Sequence, residues 1–474
     1  MKRTIYLIAA FVIVYSVSSC KKYLDVNKDP NNPSDVQEPL LLVPVETATA
    51  TTVAGGSWTT GNYPTVAETD AYLVQQIALN QLPPQVDEYL MRPADYDQMF
   101  LTLYSTILEN LRILNLKAEQ NHHYAYAVIA KILTAYNLGI ITDSWGDVPY
   151  SKALGGNLTP TYDKQEDVYK TMQALLDSAI QENSLNPGDV VPGTDDFIYS
   201  GNMTLWQKFA YTLKARYYIH LTKAPGYDPI AQSNLALASL QNGFGSLADE
   251  ANFSAYSTSS GSESPWYENI DPGQGGVVLS STLIDSLITR HDPRLPIIAT
   301  TGDDGMYRGL QNGTGPAPDV NIFSTINSFY ASKSSPESIL SFPEAEFIKA
   351  EAVFRISGPI AATPVYINAI NSAMARVGLD TTSAAVLAYV ASRTPLNSEN
   401  GLQRIIEDKT IGNFLSTENY NDWRRTGYPL LTIVQNPHVP TIPRRFPYPF
   451  EEETANPQPQ QSASITDRVW WDTP

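Results

Sequence analysis

The sequence is poor in cysteine and in positive charge. Its 474 residues include one cysteine and 31 basic against 49 acidic side chains, a formal net charge of -18. A single cysteine excludes a disulfide within the chain, so packing alone has to hold the fold. Nucleic-acid binding depends on clustered Lys and Arg that neutralise phosphates, and the sequence has no basic stripe. We therefore exclude nucleic acid as a main partner.

The sequence is also low in charge of either sign and lacks familiar catalytic motifs. Only 17% of its residues are charged, against roughly 25% in typical soluble domains, while 43% are hydrophobic and 28 are tyrosines. This composition indicates a sizeable core and a polar, weakly charged surface, which suits neutral ligands. We find no His-Glu-x-x-His, no Gly-x-Ser-x-Gly and no phosphate-binding glycine loop. No catalytic residue, metal ligand or cofactor is predicted.

The first twenty residues have the pattern of a secretory signal. Lys2 and Arg3 precede an apolar run over residues 5–17, which is too short to span a membrane permanently. The run ends in small residues followed at once by Cys20, as in a bacterial lipobox. We predict that residues 1–19 are a signal peptide and that Cys20 is lipidated and anchors the mature chain to a membrane.

Residues 20–39 form the predicted lipidated tether. Acidic and amide side chains at alternate positions resemble the start of a calcium loop, at Asp25, Asn27, Asp29 and Asn31. However, Pro30 stands where such a loop needs glycine and Val36 where it needs glutamate. We interpret these residues as Asx-turns that fix the tether against the body, and we predict no metal site.

The body, residues 40–474, shows helical periodicity over most of its length. Apolar residues recur at three- and four-residue steps after Asp95, a nearly all-apolar helix is predicted over 124–139, and capping boxes are predicted at Asp163 and Thr204. Further helices are predicted over 281–290, 343–356, 364–377 and 400–415. Amphipathic helices in pairs with short connections favour a mainly α fold: TPR-like helical pairs in a single large domain with long irregular loops.

Two segments without sustained periodicity, 40–93 and 243–338, interrupt the helices. Long irregular segments on a rigid scaffold commonly carry function. Aromatic rings beside Gly, Ser and Asn can stack on the apolar face of a sugar while polar neighbours bind its hydroxyls. The ligand-binding candidates are Trp58, Tyr63, Trp266, Tyr267 and Tyr307.

Several motifs, taken in order, resemble one family. They are the lipobox and the segments 25–31, 143–150, 162–169, 292–295, 342–352, 421–429 and 444–449. On these residues the chain is identified as a member of the SusD/RagB family of outer-membrane nutrient-binding lipoproteins, in its SusD-like subgroup. The resemblance implies a helical, non-catalytic protein at the cell surface, without a cofactor. It also implies capture of glycans, or peptides as in RagB-like members, for a SusC-like TonB-dependent transporter.

Three questions stay open from the sequence. A surface glycoside hydrolase that uses Asp143 and Asp147 is an alternative function, since paired carboxylates are the groups that this chemistry needs. A lid that only contacts the transporter is another. Trp423, Arg424 and Arg425 could clamp a ligand, but we expect them to pack the C-terminal region onto the helices.

Overall fold

The computed structural model describes residues 36–56, 64–80, 85–185, 190–270 and 276–474. The described chain begins with helix α1, Glu38–Ala48, which continues as a π-helical turn, Thr49–Ala54. Helix α2, Val66–Leu73, follows, and the hydroxyl of Thr65 caps it by accepting from the backbone N–H of Glu68. The segment 40–93, predicted to be irregular, is therefore partly helical, because burial against the body stabilises helices whose own periodicity is weak.

The body is built from helices that pack on their neighbours in sequence. Their bounds are α3 Asp97–Leu101, a π-helical stretch Thr102–Leu108, α4 Glu109–Asn121, α5 Tyr124–Trp145, α6 Gln165–Leu185, α7 Met203–His220 and α8 Pro229–Leu240. Helix α1 lies against α4, and each of α4 to α8 packs on the next. This arrangement confirms the predicted mainly α fold of TPR-like helical pairs.

Helix α5 is the central element of this layer. It is long and apolar enough to cross a membrane, yet its most apolar window is wholly buried inside the protein, as in the core helix of a soluble fold. Helix α7 crosses it closely at Gly139, where a Cβ atom would lie 2.2 Å from the hydroxyl oxygen of Tyr217. Helix α5 therefore needs glycine at position 139 for this packing. It also continues beyond residue 139, where the sequence predicted its end.

The second half of the chain adds helices around a long, bent one. Helices α9 Pro265–Ile270, α10 Ser281–Thr289 and α11 Leu295–Ile298 lead to α12 Phe342–Arg376, α13 Ala384–Arg393, α14 Gly401–Gly412, α15 Glu418–Thr426 and α16 Phe450–Ala455. Helix α12 packs on α7, α8 and α14. Gly358, with φ 77°, kinks it and so separates the two helices predicted over 343–356 and 364–377.

Short strands occur in or at the end of both irregular segments. Strand β1, Ile77–Leu79, pairs antiparallel with β3, Val277–Leu279, and β2, Ala251–Phe253, pairs antiparallel with β4, Glu337–Leu340. Single turns of 3₁₀ helix occur at Val86–Glu88, Pro93–Tyr96, Leu221–Lys223, Leu247–Asp249, Val320–Ile322 and Pro459–Ser462. One contiguous hydrophobic core extends from α1 to Trp471 and joins these strands to the helices.

Both predicted capping boxes are wrong in detail. Asp147, not Asp163, accepts from the backbone N–H of Gln165 at the start of α6. Asp163 instead accepts from the N–H groups of Tyr150 and Ser151 in the preceding loop. Similarly, α7 is capped by the side chain of Asn202, one residue before the helix begins and two before the predicted Thr204.

Candidate functional site

The motif residues at the end of α5 lie in the core. Asp143 is buried and accepts from the Tyr169 hydroxyl at 2.5 Å and the Trp471 indole at 2.9 Å. Burial raises the pKa of Asp143, against the opposing effects of His220 and the Tyr169 hydrogen bond. A glycosidase carboxylate has to reach a glycosidic bond in an open cleft. The hydrolase alternative is therefore wrong about this pair: Asp143 is enclosed and Asp147 caps a helix.

The Trp-Arg-Arg motif is also structural. The Arg424 guanidinium donates to the carbonyl oxygens of Asp143 and Arg444 at 2.6 and 3.0 Å and lies 4.8 Å from the centre of the Trp471 ring. Arg425 is fully buried and pairs with two carboxylates, which are those of Glu351 and Asp422. These contacts agree with the packing interpretation and leave neither guanidinium available to a ligand.

A cavity of about 240 Å³ opens where the second irregular segment meets the helical body. Its walls come from β4, from α9, from both ends of α12 and from the turn after α14. Three rings form a continuous wall: the centroid of Phe329 lies 4.9 Å from that of Tyr330, which lies 5.1 Å from that of Phe414. Trp266 also lines the space, which we call the aromatic cavity.

The charges that line the aromatic cavity are compensated. Arg376 donates to the Glu250 carboxylate at 3.1 Å, and Glu344 accepts two hydrogen bonds from Arg216 at 2.6 and 2.8 Å. Burial raises the pKa of Glu337 well above its ordinary value, and a hydrogen bond from Ser264 offsets this only in part. Burial therefore favours the uncharged form of the Glu337 carboxyl group. The site combines aromatic surface with neutral polar groups.

A second, more polar cavity of about 310 Å³ lies beside the β1–β3 pair. Phe323 is the aromatic residue among those that line it, together with Asn80, Asp303, Asn321 and several threonines and valines. The ring of Phe323 offers less stacking surface than the four rings that line the aromatic cavity. We therefore regard the aromatic cavity as the candidate site.

The described ligand candidates do not meet at one place. Trp266 is only 1% exposed, and its indole donates to the Ala54 carbonyl oxygen at 3.0 Å. This bond holds the ring in the wall of the aromatic cavity with little of its surface exposed, and the contact of Trp266 with a ligand stays a prediction. Tyr267 is half-buried, with the Lys333 amine 5.3 Å from its ring centre. Tyr307 is half-buried against the core, and neither tyrosine lines the aromatic cavity.

The remaining candidates lie outside the described residues: Cys20, Trp58 and Tyr63, with the whole signal peptide and most of the tether. Conversely, sequence reasoning missed Phe329, Tyr330, Phe414, Arg376 and Glu250. Adjacent aromatic residues at 329–330, inside an irregular segment and beside Asn and Ser, were the signal that could have found the first two. The others belong to elements far apart in the sequence, and no local pattern connects them.

Comparison with known proteins identifies the family. A family model described as "Starch-binding associating with outer membrane", SusD-like, matches residues 30–449. A chitin-binding SusD homolog from Flavobacterium johnsoniae is 21% identical with a TM-score of 0.79, over 92% of this chain and 98% of that one. A SusD/RagB family protein from Bacteroides thetaiotaomicron is 22% identical with a TM-score of 0.77, over 92% and 99%.

A further solved structure, of a chitin-binding protein, is 24% identical with a TM-score of 0.78, over 92% of this chain and all of the other. No curated protein matches the sequence. The structural similarities, all under 25% identity, establish a shared fold, and the family model covers most of the chain. The chain therefore belongs to the SusD-like family, which carries the description quoted above.

Proposed function

We propose that this protein captures neutral glycan fragments in the aromatic cavity, without catalysis, and delivers them to a SusC-like TonB-dependent transporter. In this proposal the lipid on Cys20 holds the protein at the cell surface. The family description supports glycan binding and association with the outer membrane. The chitin-binding character of two structural neighbours supports the same class of ligand.

The observation that carries the proposal is the charge-compensated, ring-walled cavity. Aromatic rings stack on the C–H faces of sugars, and planar polar groups bind the hydroxyls. Asn252 supplies an amide group to the same cavity lining as the Glu250–Arg376 pair. A ligand with a net charge would find no uncompensated charge of opposite sign among the described lining residues.

Isothermal titration against a panel of neutral oligosaccharides tests the proposal. The protein used is the chain from residue 21 onward, which contains every described residue. Phe329 is 44% exposed, so its replacement should leave the fold intact. Phe329→Ala should weaken binding about tenfold, because loss of one stacked ring costs about 1 kcal/mol or somewhat more. Phe450 is 54% exposed and lies outside the cavity lining, so Phe450→Ala is the matched control and should bind like the parent chain.

Salt provides a second test of the same site. Binding to a compensated cavity should change less than about twofold between 50 and 500 mM NaCl, since screening weakens only unbalanced charge interactions. Strong salt dependence, or binding of charged peptides and of no oligosaccharide, would reject glycan capture in favour of the RagB-like peptide alternative. Co-purification with the transporter but no affinity for any ligand would favour the structural lid.

A further inference from the structure

The aromatic cavity opens to solvent at one rim. Among the described residues that line it, Phe329 and Pro336 are exposed, and the others are buried or half-buried. Both exposed residues belong to one loop. The Ser335 hydroxyl closes this loop by donating to the carbonyl oxygens of Ser328 and Phe329, at 3.2 and 3.3 Å. The chain just before Pro336 is thereby held against Phe329, so the two exposed residues lie close together on the same rim.

The buried part of the wall is held together by its own hydrogen bonds. Ser341, Glu344 and Asn413 are 3%, 1% and 4% exposed. The Ser341 hydroxyl donates to the side-chain oxygen of Asn413 at 3.0 Å, and the Asn413 amide donates to Glu344 at 3.3 Å. Trp266 is fixed by its bond to the Ala54 carbonyl oxygen. A bonded wall and one exposed rim make the aromatic cavity a blind pocket.

A blind pocket of this size restricts which part of a glycan can enter it. The cavity volume, about 240 Å³, is below the roughly 300–1,000 Å³ of pockets for drug-sized ligands, so the space suits one sugar ring rather than several. An internal unit of a glycan is linked on two sides, and its chain needs an opening at each side. A terminal unit is linked on one side, so it can enter through a single rim.

We propose that the aromatic cavity takes the terminal unit of a glycan chain, with the following units outside the rim at Phe329. The proposal rests on the glycan-binding function proposed above. A terminal unit carries a hydroxyl group where an internal unit carries a glycosidic oxygen. The Glu337 carboxyl group lines the cavity and accepts from Ser264 at 3.1 Å through one of its oxygens. Its second oxygen is available to bond the extra hydroxyl group.

A series of chain lengths tests the proposal. The probes are linear dimers to hexamers of α-1,4-linked glucose, β-1,4-linked glucose and β-1,4-linked N-acetylglucosamine, titrated against the chain from residue 21 onward. In each series that binds, affinity should stay within about twofold from dimer to hexamer, because every chain presents one such end whatever its length. A rise of about threefold or more would show that internal units also bind, because a hexamer has more of them. That result would overturn end capture and leave glycan capture standing.

A ring without ends gives a sharper comparison where the α-1,4 series binds. The cyclic hexamer has the same six units as the linear one but no terminal unit, so it should show no measurable binding. Equal affinity for the two hexamers would overturn the proposal.

Variants of the rim complete the test. Phe329→Ala should weaken every length by the same factor, and Phe450→Ala, the control outside the cavity lining, should change none of them. A loss that grows with chain length would argue against end capture. Binding by no member of the three series would also overturn it, and the wider panel of neutral oligosaccharides then decides separately on glycan capture. Affinity for charged peptides and for no glycan would reject both proposals.

Discussion

The charge network under the Trp-Arg-Arg motif makes a quantitative prediction. Arg425 donates to both carboxylate oxygens of Glu351 at 2.5 Å and to Asp422, and all three side chains are fully buried. Burial alone would raise the pKa of Glu351, but the charge of Arg425, with that of Arg355, outweighs it and lowers the pKa from 4.5 to about 2. A lowering of this size corresponds to about 3 kcal/mol of folding free energy.

The sign of this contribution follows from the lowered pKa. Above pH 4.5 Glu351 is ionised in both states and its stabilisation is fully present; it is lost as the pH falls from 4.5 towards 2. Arg425→Met leaves the Glu351 carboxylate buried without its main cation. We expect a loss of about 3–5 kcal/mol at pH 7, and a smaller loss at pH 3, where Glu351 of the variant becomes protonated.

Urea unfolding followed by far-UV circular dichroism at pH 7 and pH 3 measures both quantities. The control is Arg92→Met, because Arg92 is 49% exposed and its contact with Asp95 is 3.6 Å long. Such surface ion pairs contribute little to stability, and we expect Arg92→Met to change the free energy of unfolding by less than about 0.5 kcal/mol. A loss below about 1 kcal/mol for Arg425→Met, or one that stays constant between the two pH values, would refute this account of the network.

Two further substitutions test buried positions by thermal unfolding. Glu337→Gln should raise the unfolding temperature more at pH 8 than at pH 4. The pKa of Glu337 is raised by burial, so the contribution of this residue to stability falls as the pH rises above 4.5. Equal increases in unfolding temperature at the two pH values would contradict this. Gly139→Ala should cost about 1–3 kcal/mol, because its Cβ atom would overlap the Tyr217 hydroxyl. Gly193→Ala, with the nearest neighbouring atom 4.0 Å away, should be nearly neutral, and similar losses at both glycines would argue against the close helix crossing.

The sequence predicted the helices whose apolar residues recur with a clear helical period. Its predictions were weakest for helices whose presence or end depends on tertiary packing. Gly139 has the appearance of a helix end, yet α5 continues for six residues beyond it, because the glycine serves the crossing with α7. Helix α1 was missed because its apolar residues are not confined to one face and Pro44 lies inside it. The first failure comes from a contact with a residue distant in the sequence, and the second from a local pattern that is weak for a helix.

The site was predicted less well than the fold for a related reason. Aromatic residues beside Gly and Ser were reasonable ligand candidates, but the need of the Trp266 indole for an acceptor draws that ring inside. The cavity depends on Glu250 meeting Arg376 across 126 residues and on Phe414 reaching Tyr330. Composition predicted a neutral ligand, and that stays a prediction.

The position of Trp471 has a consequence for how the molecule assembles. This indole is fully buried and bonded to Asp143, 328 residues earlier, while the neighbouring Asp472 binds Arg444 and Arg468. The innermost packing around Asp143 therefore stays incomplete until Trp471, 328 residues later, has been synthesised. Partly made chains would expose the apolar surface of α5, which makes them prone to aggregate, so a chaperone that shields them during synthesis would benefit this protein.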